Sequence, residues 1–92
     1  MIKNCGIDIG NIVISTMGRD KGEYFIVVGI EDNYVYLVDG AIRKIDRPKK
    51  KKIKHIKYTN MHDENIASRV KNKYKITNHD IKKALKEILR NK

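Results

Sequence analysis

The sequence predicts an α+β fold: a small antiparallel β-barrel over residues 1–58, followed by a basic tail of one or two helices over residues 59–92 that packs on it. Three observations point there. The first half alternates short Ile-, Val- and Tyr-rich runs with turn residues every 8–12 positions or so, the spacing of a barrel or sandwich rather than of βαβ units. The tail changes to the 3.6-residue period of an amphipathic helix. The length of 92 residues leaves room for a single small core, with an expected radius of gyration of about 12 Å.

The strands follow in order. Gly10 opens the run Asn11-Ile12-Val13-Ile14-Ser15-Thr16-Met17, and Gly18 closes it. Glu23 to Ile30 forms a second run, ended by Glu31-Asp32-Asn33, and Tyr34 to Val38 a third. Asp39-Gly40 is the strongest short hairpin signal, because both central residues of that turn need positive φ, so Ala41 to Ile45 reads as the return strand. Pro48 removes a ladder donor, and Ile53, His55 or Ile56, and Tyr58 suggest a last short strand. Closure into a barrel would hide edges that a sheet this rich in Ile and Val otherwise exposes. Alternation places Ile12, Ile14, Ile26, Val28, Ile30, Val35 and Leu37 on the core face, with Ile42 added. Val13, Phe25 and Val27 on the other face are apolar too, and the helical tail is the segment expected to cover them.

In that tail Thr77 and Asp80 form a capping box with Asp in place of Glu, flanked by Ile76 and Ile81 at the staple positions. Ile81, Ala84, Leu85, Ile88 and Leu89 follow the i, i+3, i+4, i+7, i+8 rule, while Lys82, Lys83, Lys86 and Arg90 fall off the stripe. A preceding helix from Met61 to Asn72 carries a thinner stripe of Ile66 and Val70, with Asn60 as its cap.

The charge is lopsided. Residues 1–46 hold five basic groups against seven acidic ones, a net of −2, and residues 47–92 hold sixteen against four, a net of +12. The whole chain is therefore +10. Such asymmetry says little about fold and points to a polyanionic partner, nucleic acid before an anionic membrane. The longest apolar runs are five residues, Tyr24–Val28 and Tyr34–Val38, against about 20 needed to span a bilayer. With no secretory pattern at the N-terminus and Cys5 as the only thiol, a soluble, cytoplasmic protein is expected, with Cys5 packed as a small hydrophobe.

No arrangement of residues points to catalysis, so the protein is expected not to be an enzyme. His55, His62 and His79 are far apart, no paired carboxylates stand out, and zinc-site spacing is missing. No metal or other cofactor is expected. The informative loop is Gly18-Arg19-Asp20-Lys21-Gly22. Its glycines permit a tight reversal with positive φ, which would hold Arg19 and Lys21 out on a stiff stalk. It lacks the four-residue spacing and the following Lys-Ser/Thr of a phosphate-binding P-loop. A second basic element runs from Arg43 and Lys44 through Arg47, Lys49, Lys50, Lys51 and Lys52 to Lys54, His55 and Lys57. Its four consecutive lysines are expected to lie extended and hydrated and to track phosphates. Lysines supply point charges rather than bidentate base contacts, so affinity should exceed sequence specificity. Tyr34, Tyr36 and Tyr58 are positioned either to pack on the sheet or to stack on unpaired bases.

Gly10 to Ile30 closely resembles the KOW motif: a glycine, alternating apolar residues, a Gly-x-x-Lys-Gly-type loop, then a second apolar strand, with Gly22 at the place of the hallmark glycine and Gly10 and Gly18 framing the first strand. The continuation through Val38-Asp39-Gly40-Ala41-Ile42-Arg43 and Pro48-Lys49-Lys50-Lys51 is similar to small bacterial KOW-domain RNA-binding proteins, themselves related to KOW-containing proteins of the large ribosomal subunit. The resemblance covers residues 8–58. It implies an SH3-like barrel and RNA, usually ribosomal RNA, as ligand. KOW domains of transcription elongation factors contact proteins instead, so a protein-interaction module of the transcription or translation machinery is the alternative. The expected partners are thus RNA, in the first place ribosomal, and ribosomal proteins, with no membrane; free in solution the chain is expected to be a monomer.

Overall fold

A computed structural model describes residues 6–90; Cys5 lies outside the described residues. The fold is α+β, a five-stranded antiparallel sheet with two helices. Strands β1 (Asn11–Ser15), β2 (Tyr24–Glu31), β3 (Tyr34–Val38), β4 (Lys49–Lys52) and β5 (Ile56–His62) lie in the order β4-β3-β2-β1-β5. A single 3₁₀ turn, Ile53–His55, links β4 to β5, and helices α1 (Glu64–Lys71) and α2 (Asn78–Arg90) follow.

The sheet is not a closed barrel. Among the described residues β4 pairs only with β3 and β5 only with β1. The four-residue β4 gives way at once to the 3₁₀ turn, whose Ile53 N–H donates to the Asn33 carbonyl at 2.8 Å. That bond ties the end of β4 to the β2–β3 turn rather than to β5.

Ala41 to Ile45 is not the return strand. Asp39 Oδ1 accepts from the amides of Ala41 (2.9 Å) and Arg43 (2.8 Å), so the carboxylate takes donors that a ladder would need. The amide of Ile45 donates to Asn78 Oδ1 at 2.8 Å, which anchors this loop to the start of α2. Ile42, expected in the core, is 85% exposed. The partner of β3 is the lysine tract itself, in register from Tyr34↔Lys52 to Leu37↔Lys49.

The core has two halves, one on each face; in β1 and in β2 as far as Val28 their parity is the reverse of the expected one, whereas Ile30, Val35 and Leu37 lie as expected on the side away from the helices. Val13, Phe25, Val27, Val35 and Leu37 pack together with Ile7. Ile12, Ile26 and Val38 pack on the opposite side against Ile66 of α1 and Ile81, Ala84 and Leu85 of α2. The helices therefore cover Ile12 and Ile26, not Val13, Phe25 and Val27. The pairing of β2 with β3 slips between Val27 and Gly29. Across that irregularity Ile30 joins the Val27 half while Val28 packs with the helical half, as expected where a bulge shifts the side-chain alternation by one.

β5 runs on to His62, because the β1–β5 ladder extends to Asn11↔His62 and the Thr59 hydroxyl donates to the Ile12 carbonyl. Asn60 and Met61 are accordingly strand, and α1 is capped instead by Asp63, whose Oδ1 accepts from the Ile66 amide at 2.9 Å. At α2 the expected capping box is present in both directions: Asp80 N–H donates to Thr77 Oγ1 (3.1 Å), and Thr77 N–H donates to Asp80 Oδ2 (3.0 Å). Arg69 joins the two helices, donating to Asp80 Oδ2 at 3.1 Å and to the Lys75 carbonyl at 2.6 Å. No helix among the described residues is long and apolar enough to cross a membrane.

Candidate functional site

The β1–β2 loop is built by its backbone. Gly22 N–H donates to the Ser15 carbonyl at 2.8 Å and Lys21 N–H to the Gly18 carbonyl at 3.2 Å. Gly22 has φ +90°, and a Cβ added there would meet nothing within 4 Å. The requirement for glycine is therefore conformational alone. Gly10 differs: it has φ +95°, and a Cβ there would lie 2.7 Å from the Ala67 Cβ and 2.9 Å from the Asp63 carbonyl oxygen, because the start of α1 rests on this backbone.

Lys51 holds the loop from beneath. The register Val35↔Lys51 puts its side chain on the face of the apolar Val35 half, and the residue is only 8% exposed. Its ammonium donates to Asp20 Oδ1 (2.7 Å), the Met17 carbonyl (2.8 Å) and Ser15 Oγ (3.0 Å). Burial works against ionisation of Asp20, but the hydrogen bonds from Lys51 and Ser15 and the charges of Lys51 and Lys49 outweigh it and hold the carboxyl below its ordinary value. Lys51, placed on the hydrated strip by its sequence, is thus a buried tie between β4 and the loop. Arg19 and Lys21 stay exposed on the loop's outside.

The basic strip does not form one surface. Arg43 and Lys49 meet Arg19 around a depression of about 510 Å³. Three acids share its lining: Asp20, engaged by Lys51; Asp39, engaged by the Ala41 and Arg43 amides; and the exposed Glu23. Lys44 and Arg47 are exposed in the loop before β4 and do not line it. Lys50 and Lys52 alternate to the other face, opposite Tyr36 and Tyr34. There the Lys50 ammonium stands 4.6 Å from the centre of the Tyr34 ring, within cation–π range. The Tyr36 hydroxyl donates to Glu31 Oε1 at 2.6 Å, and that bond raises the phenol's pKa. Lys54 lies next to Lys52 on a second concavity, while Lys57 is exposed on β5 and His55 is half-buried.

Among the described residues no group of three His, Cys, Asp or Glu side chains is placed to hold a metal ion. His62, for example, sits 3.3 Å from the exposed Glu64 carboxylate and 3.0 Å from the Ile9 carbonyl. What sequence reasoning missed is the grouping of Tyr34, Lys52, Lys54 and Tyr58 on one concavity. The alternation of Tyr34 and Tyr36 was visible, but the meeting of Tyr34 with Tyr58 arises only when the 3₁₀ turn brings β5 round. No protein-family model and no curated protein matches this chain.

Proposed function

We propose that this protein binds structured RNA without catalysing a reaction, that its sheet is an SH3-like KOW domain, and that its working place is the cytoplasmic ribosome. The carrying observation is convergence. Arg19 of the motif loop and Arg43 and Lys49, more than twenty residues further on, border one depression, and the loop has the positive-φ glycine that the KOW resemblance calls for. The strand order β4-β3-β2-β1-β5 with a 3₁₀ link between the last two strands supports the SH3-like assignment. Phosphates would be met by Arg19, Lys21, Arg43 and Lys49, with Lys44 and Arg47 adding charge nearby. Lys51 takes no part, because its ammonium is already committed.

The test is sedimentation with ribosomes in rising salt, together with a salt titration of RNA affinity. With four to seven phosphates contacted, log affinity should fall against log salt with a slope of about −3 to −6. A slope near zero, or sedimentation that survives high salt, favours the protein-interaction alternative. The observation in favour of that alternative is the exposure of Met17 (53%) and Ile42 (85%) beside the loop and the depression.

A further inference from the structure

A cleft of about 710 Å³ opens where the sheet fails to close, between the end of β4, the 3₁₀ turn and β5. It shares no lining residue with the depression at the Gly18–Gly22 loop. Ile53 and Ile56 give it apolar surface, Tyr34 from β3 and Tyr58 from β5 give it two aromatic rings, and Lys52 and Lys54 give it positive charge. Among the described residues no acidic one lines it, whereas three line the depression. Among the described residues neither Lys52 nor Lys54 is engaged in an ion pair. Tyr58 is 45% exposed, so part of its ring is open to a ligand.

A ligand for this lining needs a flat apolar surface and a negative charge a short distance from it. An unpaired nucleotide has both, since its base offers a face for stacking and its phosphate an acceptor for lysine. A base inside a continuous duplex has both faces covered by its neighbours and cannot enter. We propose that the cleft takes an unpaired nucleotide of an RNA strand, its base against Tyr34 and Tyr58 and its phosphate on Lys52 and Lys54. The proposal rests on the RNA-binding reading above and deepens it, because phosphate contacts alone do not distinguish paired from unpaired RNA.

The experiment uses the full chain, a 12-nucleotide oligouridylate and a 12-base-pair RNA duplex, at one low salt concentration. The protein has five tyrosines and no tryptophan, so stacking is read as a quench of tyrosine emission, and the part of the quench lost in Tyr58→Leu is the part that belongs to the cleft. The single strand should quench that emission, and Tyr58→Leu should lower single-strand affinity roughly tenfold while leaving duplex affinity unchanged. Tyr58→Phe keeps the stacking surface and should keep the affinity. Replacing Lys52 and Lys54 together with Ala should weaken the single strand more than the duplex. If Tyr58→Leu weakens neither RNA, the cleft proposal is overturned while the RNA-binding reading stands. Failure of both RNAs to bind the wild-type chain overturns both. A loss with Tyr58→Phe as large as with Tyr58→Leu overturns stacking. A quench by a proline-rich peptide and not by RNA overturns the proposal in favour of a protein ligand, of the kind that docks in aromatic-lined grooves.

Discussion

The two faces of the sheet carry similar aliphatic residues and are protected by different means. On one face Val13, Phe25, Val27, Val35 and Leu37 bury one another, together with Ile7. Among the described residues the only charged group buried on that side is Lys51, made tolerable by Asp20, Ser15 and a main-chain carbonyl. On the other face Ile12, Ile26 and Val38 are covered by Ile66, Ile81, Ala84 and Leu85 of the helices. The difference teaches where stability and function can be separated. The helical face is a packing problem, and the loop above the other face is held in shape by a buried ion pair. A change in one should leave the other's chemistry intact.

The largest expected effect comes from removing the cover. A 13-residue helix such as α2 is marginal alone, so it exists because it docks. Burial of Ile81 and Leu85 is worth about 1.5–3 kcal/mol each before entropy is subtracted. Deleting residues 77–92 should lower the melting temperature sharply and expose Ile12, Ile26 and Val38 to a hydrophobic dye. An unchanged melting temperature would mean that the helical face is no part of the core.

Glycine substitution sharpens the same contrast. Both Gly10 and Gly22 have positive φ, but only Gly10 lies against the helical layer. Gly22→Ala should cost about 1–2 kcal/mol through backbone strain alone. Gly10→Ala adds a clash with Ala67 and Asp63 and should cost about 3 kcal/mol. Equal losses in chemical denaturation would remove the distinction.

Neighbouring lysines make the next test. Lys51→Ala strands the partly buried Asp20 carboxylate and should cost about 2–3 kcal/mol. Lys50→Ala on the opposite face should stay within about 0.5 kcal/mol. Combining Lys51→Met with Asp20→Asn should recover much of the loss, and a double-mutant cycle measures the coupling. If Lys51→Ala is as mild as Lys50→Ala, the buried tie contributes nothing.

The smallest effect is on acid stability. Asp20 is held below its ordinary carboxyl value, and so are Asp8, chiefly by the Ile9 amide, and Asp80, chiefly by the Thr77 amide. A carboxyl depressed in the folded state stabilises fully above the unfolded value, about 3.9, and that contribution is lost as pH falls through the folded value. Denaturation midpoints should therefore hold from pH 6 to about 5 and drop toward pH 3. The Asp20→Asn variant should start lower and fall less. A parallel fall in the variant would mean that Asp20 is not among the groups responsible.

What the sequence could determine by itself was whatever is decided within a few residues. Thr77 and Asp80 satisfy each other's amides whatever lies beyond them, the stripe from Ile81 to Leu85 requires a helix, and the Gly18–Gly22 loop needs a glycine at positive φ. Tertiary structure decided what depends on distant partners. β1 and β2 are apolar on both faces, so alternation alone could not say which face the helices would take, and the slip between Val27 and Gly29 changes the alternation midway. Asp39-Gly40 turned the chain, but the Asp39 side chain took the amides of Ala41 and Arg43, and the ladder passed to the lysine tract. Four identical lysines carry no local mark of which one is buried. Pairing with β3 turns Lys51 inward and Lys50 outward, and Asp20, 31 residues away in the chain, is what makes that burial affordable. Side-chain parity and charge pairing across the sheet are set by register, and register is a property of the whole fold.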